Sequence, residues 1–81
     1  MSAPRFTVYS RPQCHLCTEM LAELRPLLAG RDTELEIVDV DQEEALRLRY
    51  GDKVPVLVAD GEEVCHFRLL PDRVRQLLDQ A

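Results

Sequence analysis

The chain has 81 residues, 46% of them apolar, and its 15 acidic against 10 basic side chains leave a net charge of −5. That length allows one domain, expected to span residues 1–81, and so short a domain buries only about 60% of the surface its unfolded chain exposes. The apolar content excludes a disordered chain, the acidic balance disfavours a nucleic-acid partner, and the best apolar run, Val54–Ala59, is far shorter than the ~20 residues of a membrane helix.

Met1-Ser2-Ala3-Pro4-Arg5 has no apolar stretch and leads directly into a strand-like segment, so no signal peptide is expected. Three cysteines, an odd number, do not form the disulfide framework of a small secreted domain. A soluble cytoplasmic monomer is the expectation. The charge is uneven. Residues 1–31 carry four bases and two acids, residues 32–44 carry seven acids and no base, and residues 45–81 balance. The acidic block reads as a solvated edge.

Arg5–Ser10 (RFTVYS) is rich in β-branched and aromatic residues and predicts a strand, broken by Arg11-Pro12-Gln13. From Cys14 onward, Cys17, Met20, Leu21, Leu24, Leu27 and Leu28 repeat at helical spacing. Pro26 lies inside that pattern and predicts a kink or an early end, with Gly30 closing the segment. Glu34–Val40 predicts a second strand. Asp41 is the expected N-cap of a helix running to Tyr50, with Gly51 as its C′ residue. Val54–Ala59 predicts a short buried strand, Asp60-Gly61 a two-residue hairpin turn, and Glu62–Phe67 the antiparallel return. Pro71 opens a last helix with Val74, Leu77, Leu78 and Ala81 on one face. The expected order is β-α-β-α-β-β-α, an α/β fold.

Cys14 and Cys17 form a C-x-x-C. Zinc ribbons and iron–sulfur proteins use the same spacing, but here the first cysteine sits where a loop enters a helix. The unpaired N–H groups of a first helical turn, and the helix dipole, favour a thiolate at Cys14. Lowering a thiol pKa from ~8.5 to ~7 takes about 2 kcal/mol of differential stabilisation, which a helix terminus can supply. Cys17, one turn on, falls within the ~4.4–6.8 Å Cα separation that a disulfide accepts. Cys14 is thus the expected nucleophile and Cys17 the resolving thiol. A protonated His15 would further favour the thiolate. Cys65 reads as a buried free thiol behaving as a small hydrophobe. Two rival readings stay open: a metal or iron–sulfur site built on Cys14 and Cys17, with Cys65 and His66 or His15 as further ligands, and a redox-inert binding module.

Ser10-Arg11-Pro12-Gln13-Cys14-His15-Leu16-Cys17, Tyr50-Gly51-Asp52-Lys53-Val54-Pro55-Val56-Leu57-Val58 and the Asp60-Gly61 hairpin together resemble the thioredoxin superfamily. Within it the chain is similar to small bacterial glutaredoxin-like proteins with a C-H-L-C motif. The resemblance covers nearly the whole chain. It implies a thioredoxin-like fold, a four-stranded mixed sheet flanked by three helices, with its first two strands parallel. It also implies a cis Val54–Pro55 bond beside Cys14 and a dithiol–disulfide oxidoreductase that needs no cofactor or metal. The substrate would be a disulfide-containing protein or a small thiol, met by Arg11, Pro12, Gln13, His15, Val54 and Pro55. Glutathione is a candidate co-substrate, Arg11 matching the family's basic residue for its carboxylate. Four features depart from the family patterns. Lys53 stands where glutaredoxins usually have Thr, and their Gly-Gly pair is replaced near Cys65-His66. Arg68 has the wrong sign to bind an ammonium, and Val8 replaces thioredoxin's buried acid. Asp39 is the remaining candidate proton acceptor for Cys17.

Overall fold

The computed structural model describes residues 4–80. Met1–Ala3, where the signal-peptide question arises, and Ala81, placed on the last helix face, lie outside the described residues. The elements run β1 (Arg5–Ser10), α1 (His15–Leu28), β2 (Glu34–Asp39), a 3-10 turn (Val40–Gln42), α2 (Glu44–Tyr50), β3 (Val56–Ala59), β4 (Glu62–His66) and α3 (Pro71–Asp79). One sheet has the order β2-β1-β3-β4. β1 and β2 are parallel, which requires a crossover, and α1 supplies it. β3 pairs antiparallel with both β1 and β4.

Strand composition follows from which faces are covered. β1 alternates: Phe6 and Val8 point into a core with Met20, Leu24 and Leu28 of α1, Leu57 and Ala59 of β3, and Val74 and Leu78 of α3. Tyr9 faces the other way, toward a smaller cluster of Val40, Tyr50, Val56 and Val58. β3 is therefore buried on both faces, which accounts for its unbroken apolar run. Its hairpin to β4 turns on Asp60 (φ 51°) and Gly61 (φ 87°), both left-handed as a tight primed turn requires. On β4, Leu57 pairs with Cys65 but Val58 with Glu63, so Val64 is an extra residue in the ladder. This bulge lets consecutive Val64 and Cys65 enter the same core.

Three local expectations are corrected. Pro26 does not end α1 early: the helix passes it and stops two residues later at Leu28. Ala22 and Pro26 are both exposed, so the carbonyl that loses its donor faces water rather than protein. Asp41 is not a helix N-cap. Asp39 instead caps the 3-10 turn, its Oδ1 accepting the Asp41 N–H at 2.9 Å, and α2 begins only at Glu44. Gly51 caps α2 with right-handed angles (φ −54°), so positive φ is not why glycine stands there. A Cβ at Gly51 would meet the Arg47 carbonyl oxygen and lie 3.2 Å from Arg11 Nη2. Smaller boundary shifts leave Val40 out of β2, Val54 and Pro55 out of β3, and Phe67 out of β4.

Candidate active site

The strand register gathers the chemistry at one end of the sheet. Ser10 ends β1 opposite Asp39, Tyr9 pairs with Val56 at the start of β3, and Val56 pairs with His66 at the end of β4. The segments that leave these positions, residues 11–14, 40–43, 54–55 and 67–70, therefore emerge together.

Cys14 is the N-cap of α1, with extended angles (φ −98°, ψ 110°). Its Sγ accepts the Cys17 N–H at 3.2 Å, and its carbonyl accepts the Thr18 N–H at 3.1 Å and hydroxyl at 3.3 Å. Those bonds are a helix cap made by sulfur instead of a hydroxyl. Cys14 and Cys17 are joined by a disulfide with their Cα atoms 5.2 Å apart. The two sulfurs differ in access: Cys14 is partly exposed, whereas Cys17, on the buried face of α1, is 3% exposed.

The flanking residues fall around this pair. Pro12 and Gln13 form an exposed turn, Gln13 with a left-handed φ of 60°. Arg11 is already engaged: its Nε donates to Asp41 at 3.0 Å and its Nη1 to the Gly51 carbonyl at 3.5 Å. His15 lies on the outside of α1, its ring 87% exposed and 3.4 Å from Glu19. The Val54–Pro55 bond is cis. Pro55 is buried, and its carbonyl accepts the Phe67 N–H at 2.9 Å, tying the segment before β3 to the one after β4.

Lys53 Nζ stands 3.4 Å from Glu63, whose other carboxylate oxygen is 2.9 Å from His66 Nδ1. The hydrogen bond from His66, helped by Lys53, holds the Glu63 carboxyl below its ordinary value of 4.5. Cys65 lies in the α1/α3 core as a free thiol, and burial pushes its pKa up. Asp39 is occupied by its cap bond to Asp41. Among the described residues, no three His, Cys, Asp or Glu side chains are gathered as a metal site.

Sequence reasoning did not single out Asp41 as the partner of Arg11, Glu63 as the link between Lys53 and His66, or Phe67. Spacing marks the pairing of strands but not which side chains meet where two loops emerge side by side. Phe67 was read only as the last residue of the return strand.

Comparison with known proteins agrees with this geometry. Residues 5–79 match the glutaredoxin-like domain family (DUF836). Protein Ne2328 from Nitrosomonas europaea is 40% identical, with a TM-score of 0.84 and 96% of this chain and 94% of that one covered. The uncharacterized protein Rv0508 of Mycobacterium tuberculosis is 28% identical over 80 residues, 93% of this chain and 82% of that protein. Mitochondrial thioredoxin 3 from Saccharomyces cerevisiae, in its oxidized form, is similar in fold alone: 17% identity and a TM-score of 0.69, covering 100% of this chain and 81% of that one. The fold is thioredoxin-like, and the chain belongs to the glutaredoxin-like domain family.

Proposed function

We propose that the protein is a thiol–disulfide oxidoreductase in which Cys14 attacks and Cys17 resolves. The observation that carries this reading is the asymmetry of the pair: a partly exposed sulfur at the N-cap of α1, bonded to a buried one a turn further on. The first sulfur can reach a partner, and helix N–H groups stabilise it as a thiolate. The second is accessible only to the first.

Starting from the dithiol, the Cys14 thiolate attacks one sulfur of a target disulfide, forms a mixed disulfide and expels the other target sulfur as thiolate. Deprotonated Cys17 then attacks Cys14 Sγ and expels the remaining target sulfur. The target gains two electrons and two protons, and the protein is left as the Cys14–Cys17 disulfide. A cellular thiol must return the protein to the dithiol, with glutathione the candidate co-substrate. We place this cycle in a monomer in the cytoplasm, acting on the disulfide of a protein or of a small thiol. Val54, Pro55, Pro12 and Gln13 are the residues we assign to substrate contact around Cys14. Arg11 would meet a substrate carboxylate only by exchanging Asp41 for it, which makes it as much a brace between loops as a binding residue. His15 is turned to Glu19 on the exposed side of α1.

The test is trapping. Cys17→Ser should accumulate mixed disulfides on Cys14 when incubated with oxidised partners, cleavable by dithiothreitol. Cys14→Ser should accumulate none. Equal trapping by both variants, or none by Cys17→Ser, would overturn the assignment of roles.

A further inference from the structure

Phe67 combines properties that do not serve the fold. Its φ of 66° lies in the left-handed region, where a bulky side chain crowds its own backbone. The chain closes there into a three-residue turn, with the Arg68 N–H donating to the His66 carbonyl at 2.7 Å, and such a turn with positive φ is rare and strained. Phe67 is nevertheless 45% exposed, whereas Phe6, the other phenylalanine, is 1% exposed. Glycine would suit this backbone, and a polar residue this exposure. Strain of this kind collects where function uses it.

The position of the ring points to the use. The Phe67 N–H is fixed to the Pro55 carbonyl at 2.9 Å, and the His66 ring meets Phe67 edge-on at 4.8 Å. Phe67 lines a groove of about 120 Å³ together with Leu16, the residue between the cysteines' His15 and Cys17. Sites that enclose a small molecule run to about 300–1,000 Å³. The groove is of a size to hold one side chain. Glu19 and Glu23 also line the groove against the single guanidinium of Arg68, a balance that disfavours an anion such as glutathione.

We propose that Phe67 determines the specificity of the thiol pair. Its ring and Leu16 receive one apolar side chain of an extended polypeptide beside the disulfide under attack, so polypeptide disulfides are reduced in preference to glutathione disulfide. This rests on the oxidoreductase reading above.

The experiment pre-reduces the protein and measures single-turnover rate constants with two oxidants: glutathione disulfide, and a disulfide-linked peptide with leucine beside its half-cystine. Wild type should favour the peptide. Phe67→Gly should lower the peptide-to-glutathione ratio about tenfold while raising the urea midpoint, because ring and strain leave together. Phe67→Leu should recover most of the ratio. A merely structural Phe67 would lower the midpoint and leave the ratio within about twofold of wild type, and that result overturns the proposal. Wild type that favours glutathione disulfide also overturns it, while leaving the oxidoreductase reading intact. Wild type that reduces neither oxidant overturns both.

Discussion

Glu63 serves two partners at once, Lys53 on one carboxylate oxygen and His66 on the other. Both favour its charged form, so its carboxyl is held below 4.5 in the folded protein. A carboxyl depressed in this way contributes stability above its unfolded value and loses it as pH falls through its folded value. Wild type should therefore lose stability on acidification below about pH 4.5 more steeply than Glu63→Gln. Urea midpoints of the two proteins at about pH 7 and about pH 3 give the comparison, and parallel losses would refute the link. The same residue bears on the site, because His66 braces Phe67 and Lys53 precedes the Val54–Pro55 bond. The cysteines show how strongly position governs one chemical group. Cys14 caps a helix with its sulfur, whereas Cys65 is desolvated in the core and its thiol is held in the protonated form.

Among the elements, α1 shows where pattern and propensity part company. Its apolar spacing buries Cys17, Met20, Leu24 and Leu28 along one face, and that burial carries the helix past Pro26. Proline removes one helix bond on the exposed face, so Pro26→Ala should restore it and stabilise the fold by about 1–2 kcal/mol, read as a higher urea midpoint. A lower midpoint would mean that the ring of Pro26 stabilises the fold in a way its exposure does not show. The strands were legible because burial imposes alternation on β1 and continuity on β3, and the Asp60-Gly61 turn announces itself by residue type. The start of α2 was not. Asp39 and Asp41 are both capping residues by type, and spacing does not reveal that Asp39 caps a 3-10 turn while Asp41 pairs with Arg11 from another loop. Gly51 was read for the right element and the wrong reason, since packing against Arg47 and Arg11 is invisible to helix-end rules.

For the whole molecule, parallel pairing of β1 with β2 and antiparallel pairing with β3 bring the end of β1 and the start of β3 to the same rim, with the end of β4 beside them. Cys14, Pro55 and Phe67 each follow or precede one of those ends. The C-x-x-C and its helix-start position could be read from spacing alone, and the resemblance supplied the proline. Phe67 could not be read, because its left-handed backbone and exposed ring arise only once the bulge at Val64 has set the phase of β4. The proposed chemistry requires a reversible couple between Cys14 and Cys17. Its most direct test is to equilibrate the protein in graded glutathione redox buffers, quench with acid and weigh the intact chain, with Cys14→Ser alongside. A loss of about 2 Da at a defined poise, present in wild type and absent in Cys14→Ser, is the result expected. Thiols that all stay reduced at every poise would contradict the account.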